Sequence, residues 1–234
     1  MTYLKCLYSI FHMPRIARVC AKGYPHHITQ RGNNKEQVFF DDEDRRFYLE
    51  VLRRYRNKHG IHILAYCLMG NHVHILGVPE KETSLAKGIG GPNLIYTQYI
   101  NRKHNRSGRL WQNRFFSSVV EEEPYLWAAM KYIEQNPVRA KIVKKAEEYQ
   151  WSSARAHVIG MKDDLLSEDS WFSDKEMREY GKLLRQQNEE MNTAIRRATS
   201  TGRPLGSEGF IKKLEKILKR DLLPMKGGRP KRKT

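Results

Sequence analysis

The chain has 234 residues and sets 43 Lys and Arg against 26 Asp and Glu, a formal net charge of +17. Hydrophobic residues make up 39% of it, enough for one core of moderate size. The mean hydropathy is −0.73, and no run approaches the roughly 20 apolar residues of a membrane span, which argues against a transmembrane protein. Such a basic excess points to a polyanionic partner, most often nucleic acid. Cys6, Cys20 and Cys67 are odd in number and form no C-x-x-C, so neither a disulfide framework nor a cysteine zinc site is expected. That cysteine usage fits a reducing, cytoplasmic setting, with nucleoid association for a nucleic-acid binder.

Taken in chain order, Met13-Pro14-Arg15 reads as an alternative start, with residues 1–12 as an N-terminal extension that has no signal-peptide cleavage site. Residues 24–31 read as a strand ending at Gly32, with a polar turn at Asn33 and Asn34. Asp41 and Asp42 open a helix in which Phe47, Tyr48, Val51, Leu52 and Tyr55 recur at helical spacing, and Gly60 closes it after a basic last turn. Residues 61–69 and 72–78 are two apolar, β-prone runs split by Gly70-Asn71, the pattern of a hairpin. Residues 84–104 are helical in pattern, but Gly88, Gly90, Gly91 and Pro92 predict two shorter helices.

A basic loop spans 101–110 and a strand is expected at 115–121. Glu121 to Glu123 and Pro124 then start a helix that Pro137 should stop. This order of elements predicts an α+β domain on an antiparallel sheet, ending near Gly160. Residues 161–200 read as a polar helical linker with one helix at about 173–198. Residues 201–234 read as a turn, a short amphipathic helix marked by Phe210, Leu214, Ile217 and Leu218, and a basic tail.

The strongest local chemical signal is His72-Val73-His74 at the start of a strand. Residues i and i+2 share a face, so two imidazoles stand side by side as a ready pair of metal ligands. An isolated H-x-H is also what two polar residues on a half-buried sheet look like. A second signal is Tyr132 and Asn136, four residues apart on one helix face. A tyrosine serves as a nucleophile only where its phenolate is stabilised, since its ordinary pKa is near 10. Taken alone, Tyr132 also reads as a packing residue. His26, His27, His62 and His104 read as ordinary surface or sheet histidines.

Together these signals are more specific. Gly-Asn-His-Val-His-Ile-Leu (70–76), Leu-Trp-Gln-Asn-Arg-Phe (110–115), Tyr-Ile-Glu-Gln-Asn-Pro-Val-Arg-Ala (132–140) and Trp-Ser-Ser-Ala-Arg (151–155) follow in order. The set resembles the REP-associated tyrosine transposases, a branch of the HUH (His-hydrophobic-His) single-tyrosine transposases, over about residues 13–160. The resemblance implies a ferredoxin-like antiparallel sheet with helices on one face, plus a small helical, basic C-terminal extension. It implies His72, His74 and Asn136 as ligands of a divalent metal, Mg²⁺ or Mn²⁺, and Tyr132 as the nucleophile. The activity it implies is cleavage and rejoining of single-stranded stem-loop DNA through a 5′-phosphotyrosine, by a dimer or a monomer. The alternative is a hairpin-binding protein of the same fold with little or no cleavage activity.

For DNA contacts, Arg102, Lys103, Arg106 and Arg109 lead into Trp111 and Arg114, and basic residues interleaved with aromatics suit single strands. Arg31 and Asn33 are further candidates. In the tail, Gly228 to Lys233, with Arg229, Lys231 and Arg232, resembles an AT-hook core or a plain basic tail.

Overall fold

The computed structural model describes residues 18–167 and 172–223. The N-terminal extension at 1–12 and the tail residues Arg229, Lys231 and Arg232 lie outside the described residues. The strands and helices β1 (His26–Arg31), α1 (Asp42–His59), β2 (Ile61–Met69), β3 (His72–Pro79), α2 (Ser84–Lys103) and β4 (Phe116–Val119) follow one another as βαββαβ. The strands make one antiparallel sheet in the order β2-β3-β1-β4, the ferredoxin-like order. Asp41 and Asp44 close a capping box at the start of α1, and Gly60 ends it in the left-handed region at φ 62°.

Strand alternation gives the sheet two apolar faces. Ile28, Tyr66, Leu68, Val73 and Ile75 pack on one side against Tyr48 and Leu52 of α1 and Leu85, Ile89 and Tyr96 of α2. Ala65, Cys67, Met69 and Leu76 pack on the other side against α3 (Tyr125–Glu134), α6 (Asp174–Arg185) and α7 (Glu189–Thr201). The expected helices on one face are therefore joined by a second helical layer. The cause is that Cys67 and Leu76, both fully buried, are as apolar as the residues opposite and need cover.

Three sequence expectations are corrected by packing. First, α2 is one continuous helix through Pro92. A Cβ on Gly88 would lie 2.5 Å from Ile61 Cδ1, and one on Gly91 2.2 Å from Tyr55 Cε1, so these glycines let α2 approach β2 and α1 closely. Burial of Leu85, Ile89, Tyr96 and Ile100 holds the helix against its poor local propensity. Second, Pro137 sits in the first turn of α4 (Asn136–Arg139), where its missing N–H costs nothing, so the chain continues helically past it. Third, residues 161–200 hold two helices, α6 and α7, broken at 186–188. Tyr180, Leu184, Ile195 and Ala198 from them are buried against the core, so this stretch packs as part of the sheet's second layer and does not link across solvent.

Between these elements, α5 (Ala154–Ile159) ends at Gly160, which adopts φ 68°. The last helix, α8 (Glu208–Leu218), packs Phe210 and Leu214 onto Val119, Val19 and Ala21. Ile217 of the expected stripe is exposed.

Candidate active site

The site is built on the sheet face under α3. His72 and His74 project from β3 on one side, while Val73 points into the opposite core. Register places Thr29 of β1 opposite His74 and Arg31 opposite His72. The two rings lie 5.0 Å apart, centroid to centroid, at 83°. Helix α3 is seated by Ala129, Met130 and Ile133, and burying Met130 and Ile133 contributes roughly 1.5–3 kcal/mol each. That seating brings Tyr132 edge-on to both His74 (5.8 Å) and His27 (5.7 Å).

The hydrogen bonds fix which imidazole atoms remain available. Asn71 donates its Nδ2 to the Lys35 carbonyl at 2.9 Å, so its Oδ1 must accept from His72 Nδ1–H at 2.6 Å. His72 therefore keeps a lone pair on Nε2. His74 Nδ1 lies 2.9 Å from His27 Nε2, which leaves His74 Nε2 for the cleft. Asn136 donates Nδ2 to the carbonyls of Tyr132 (3.1 Å) and Ile133 (2.9 Å), so Oδ1 is the atom left over. Burial holds the rings neutral: His72 is lowered to about 4, His27 to about 3, and His74 well below the ordinary value, with Arg139 adding to each effect. Among the described residues no group of three His, Cys, Asp or Glu side chains is placed to hold a metal. The donor set here is two neutral imidazoles and one amide oxygen, which fits a divalent ion and leaves room for oxygen ligands from elsewhere.

These groups line a cleft of about 1110 Å³. Arg31, Arg139, Arg196 and Arg197 also line it, and among the described residues no carboxylate does. The Arg139 guanidinium lies 4.3 Å from the Tyr132 ring centroid and donates to the Tyr132 carbonyl at 2.5 Å, while its Nη1 is buried with no partner in the described structure. Arg196 is held by Glu189 at 2.6 Å, and Tyr132 further favours its charged form. A cleft so lined is suited to an anion beside a tyrosine.

A family model for "Transposase IS200 like" proteins matches residues 20–136, half of the chain. The chain belongs to this family. A curated relative, a putative REP-associated tyrosine transposase of Haemophilus influenzae, is 25% identical to this IS200-like transposase over 130 residues, 51% of this chain and 72% of the relative. A solved structure described as a REP-associated tyrosine transposase bound to a REP hairpin shares the fold. The TM-score is 0.55 at 17% identity, covering 71% of this chain and 98% of the other. No helix among the described residues is long and apolar enough to cross a membrane.

The structure brings His72, His74, Tyr132, Asn136 and Arg31 into one cleft. Asn33, Arg109 and Arg114 lie outside its lining, near the same end of the sheet. There Asn33 N–H donates to the Leu110 carbonyl and Gln112 N–H to that of Arg31. Arg102 and Arg106 are also outside the lining, at the end of α2 and in the loop after it.

Two candidates for DNA contact are corrected. Trp111 is 7% exposed, packs against Tyr48 and Tyr96, and donates Nε1–H to the Asn93 carbonyl at 3.1 Å; it is a core residue. Lys103 Nζ lies within 2.9 Å of carboxylate oxygens of Asp41, Glu43 and Asp44, so its charge is neutralised at the start of α1.

His27, read as an ordinary sheet histidine, stacks on His74 at 5.1 Å and belongs to the site. Arg139 is not among the residues singled out from the sequence, yet its spacing is legible there: it lies three residues after Asn136 and seven after Tyr132 on one helical face. Arg196, Arg197 and Thr199 carried no signal in the sequence.

Proposed function

We propose that this IS200-like transposase binds stem-loop DNA of the REP type and cleaves and rejoins one strand through a 5′-phosphotyrosine on Tyr132. The observation that carries the reading is the meeting of Tyr132, His72, His74 and Asn136 in one arginine-lined cleft. The hairpin in the solved relative supports the substrate class.

In this reading Tyr132 Oη attacks the phosphorus, the P–O3′ bond breaks, and the proton lost by the phenol is balanced by one gained at the 3′ oxygen. The phosphodiester energy is kept in the tyrosyl linkage, so the reverse step rejoins the strand. Arg139 and Arg196 stand beside the nucleophile, where their charge offsets that of the attacked phosphate. Burial of Tyr132 against two rings and one guanidinium restricts its rotamers and aims the hydroxyl. His72 Nε2, His74 Nε2 and Asn136 Oδ1 would hold Mg²⁺ or Mn²⁺, which when bound supplies Lewis-acid stabilisation of the non-bridging oxygens.

The test is a denaturing gel of wild type and Tyr132→Phe with labelled single-stranded hairpins taken from repeats flanking the gene, in Mg²⁺, Mn²⁺ or EDTA. A metal-dependent, protease-sensitive shifted band that disappears in the variant is expected. Cleavage without an adduct, unchanged in Tyr132→Phe, would mean that a water does the chemistry. Binding without cleavage on several hairpins would leave a recognition protein.

A further inference from the structure

The second helical layer meets the histidine cluster through a polar contact from Thr199 to His27, the ring that stacks on His74. Thr199 of α7 is 7% exposed, and its Oγ1 lies 2.8 Å from His27 Nδ1 and 2.8 Å from the Ile195 carbonyl. A carbonyl oxygen only accepts, so the Thr199 hydroxyl proton is committed to Ile195. Thr199 Oγ1 must then accept from His27 Nδ1–H. A neutral imidazole carries one N–H, so His27 Nε2 is an acceptor, and it faces His74 Nδ1 at 2.9 Å. His74 therefore carries its proton on Nδ1 and its lone pair on Nε2, the atom left for the cleft.

We infer that Thr199 and His27 form a relay by which α7 sets the ligating tautomer of His74. The inference rests on the reading of His74 as a metal ligand. It adds two positioning residues to that reading, one of them outside the family-matched segment 20–136. The opposite arrangement, with His27 donating from Nε2, would place the His74 proton on Nε2 and remove the ligand atom. Only the Thr199 hydroxyl, by accepting at Nδ1, distinguishes the two. Without it His27 Nδ1–H would be a buried donor with no acceptor, and the other tautomer would gain. His72 needs no such relay, because Asn71 and the Lys35 carbonyl set its proton locally.

The experiment uses the full chain without DNA. Thr199→Val keeps the shape and the β-branching but removes the hydroxyl; Thr199→Ser keeps the hydroxyl. Two quantities are measured: Mn²⁺ affinity by electron paramagnetic resonance titration, and the His74 tautomer in metal-free protein by long-range ¹⁵N–¹H correlation. Wild type and Thr199→Ser should show His74 protonated at Nδ1. Thr199→Val should move population to the Nε2–H form and weaken Mn²⁺ by roughly 10–100-fold, the usual cost of losing a residue that orients a ligand. Its thermal midpoint should lie a few degrees below that of Thr199→Ser, the effect of one buried imidazole nitrogen left without a partner, with the fold kept.

A Thr199→Val protein with an unchanged His74 tautomer and unchanged Mn²⁺ affinity would overturn the relay. If wild type fails to bind Mn²⁺, or His74→Ala binds it as tightly, the ligand reading of the cleft falls instead. In that event the tautomer measurement still decides whether Thr199 controls the His74 proton.

Discussion

Removing the carboxylate of Glu134 should destabilise the helix that carries Tyr132 by several kcal/mol, on the order of what breaking a buried pair costs. Glu134 is fully buried two residues after the tyrosine. Its Oε1 accepts from Ser153 Oγ at 2.5 Å and pairs with His157 Nδ1 at 2.6 Å, and its Oε2 accepts from Tyr180 Oη at 2.8 Å. One side chain thus ties α3 to α6 and to α5, whose N-cap residue is Ser153. In Glu134→Ala the Ser153 hydroxyl keeps an acceptor, the Tyr66 carbonyl at 3.2 Å. Tyr180 Oη and His157 Nδ1 lose theirs, and each buried orphan costs about 1–3 kcal/mol. With the void left by the side chain the total is about 3–5 kcal/mol, the range found when one member of a buried pair is removed. That is a large share of the roughly 5–15 kcal/mol that holds a protein folded.

Glu134→Gln is the discriminating control. Its carbonyl oxygen can take the Oε1 position and keep Ser153 and His157, while the Tyr180 hydroxyl turns to accept from the amide. The expected cost is about 1–2 kcal/mol. The double variant Glu134→Ala/Tyr180→Phe should be no less stable than Glu134→Ala, because the orphaned hydroxyl is gone. Urea unfolding at neutral pH measures wild type, Glu134→Ala, Glu134→Gln, Tyr180→Phe and the double variant. A Glu134→Ala cost below about 1 kcal/mol, or additive losses in the double variant, would refute the assignment of this network as the anchor of α3.

Two other perturbations follow from the same contacts. His26 accepts from Ala21 N–H at 3.2 Å through Nε2 and donates Nδ1–H to the Tyr24 carbonyl at 2.8 Å, and burial lowers it to about 4. The unfolded chain protonates first, so its contribution is complete above pH 6.5 and is lost as pH falls towards 4. Urea unfolding at pH 7 and 4.5 should show a loss to which His26 contributes roughly 2.5 kcal/mol, with the buried His27, His72 and His74 adding to it in the same direction, and His26→Gln should reduce the dependence by the His26 share only. In α2, a Cβ on Gly90 meets nothing within 4 Å, whereas one on Gly91 meets the Tyr55 ring. Gly90→Ala should therefore gain up to about 1 kcal/mol in thermal melts, and in Gly91→Ala overpacking of about 1–3 kcal/mol should offset that gain.

What the sequence disclosed was local. The hairpin at Gly70-Asn71, the Asp41 cap and the Gly60 stop each depend on a few neighbours, and each formed. The His72 and His74 pair and the Tyr132 and Asn136 pair are set by strand and helix periods, so both could be placed on one face before any fold was known. Where the sequence misled, the deciding partner was distant. Lys103 looks like a DNA contact until its three carboxylates are found 59 to 62 residues upstream. Trp111 follows a basic loop, yet its bridge to Gly32, just after β1, and its bond to Asn93 of α2 are those of a core residue. The glycines of α2 signal a break only if the neighbours Ile61 and Tyr55 are unknown.

The candidate site divides along the same line. The side chains proposed as ligands and nucleophile are paired within a few residues, so a motif displays them. The contacts that orient them are made across 47 residues between His27 and His74, and across 172 between Thr199 and His27. The polarity of 161–200 suggested a linker because the exposed sides of α6 and α7 dominate its composition, whereas the few residues facing inward, Thr199 among them, reach the site. A composition averages over both faces of a helix, and here the minority face is the one that touches the candidate site.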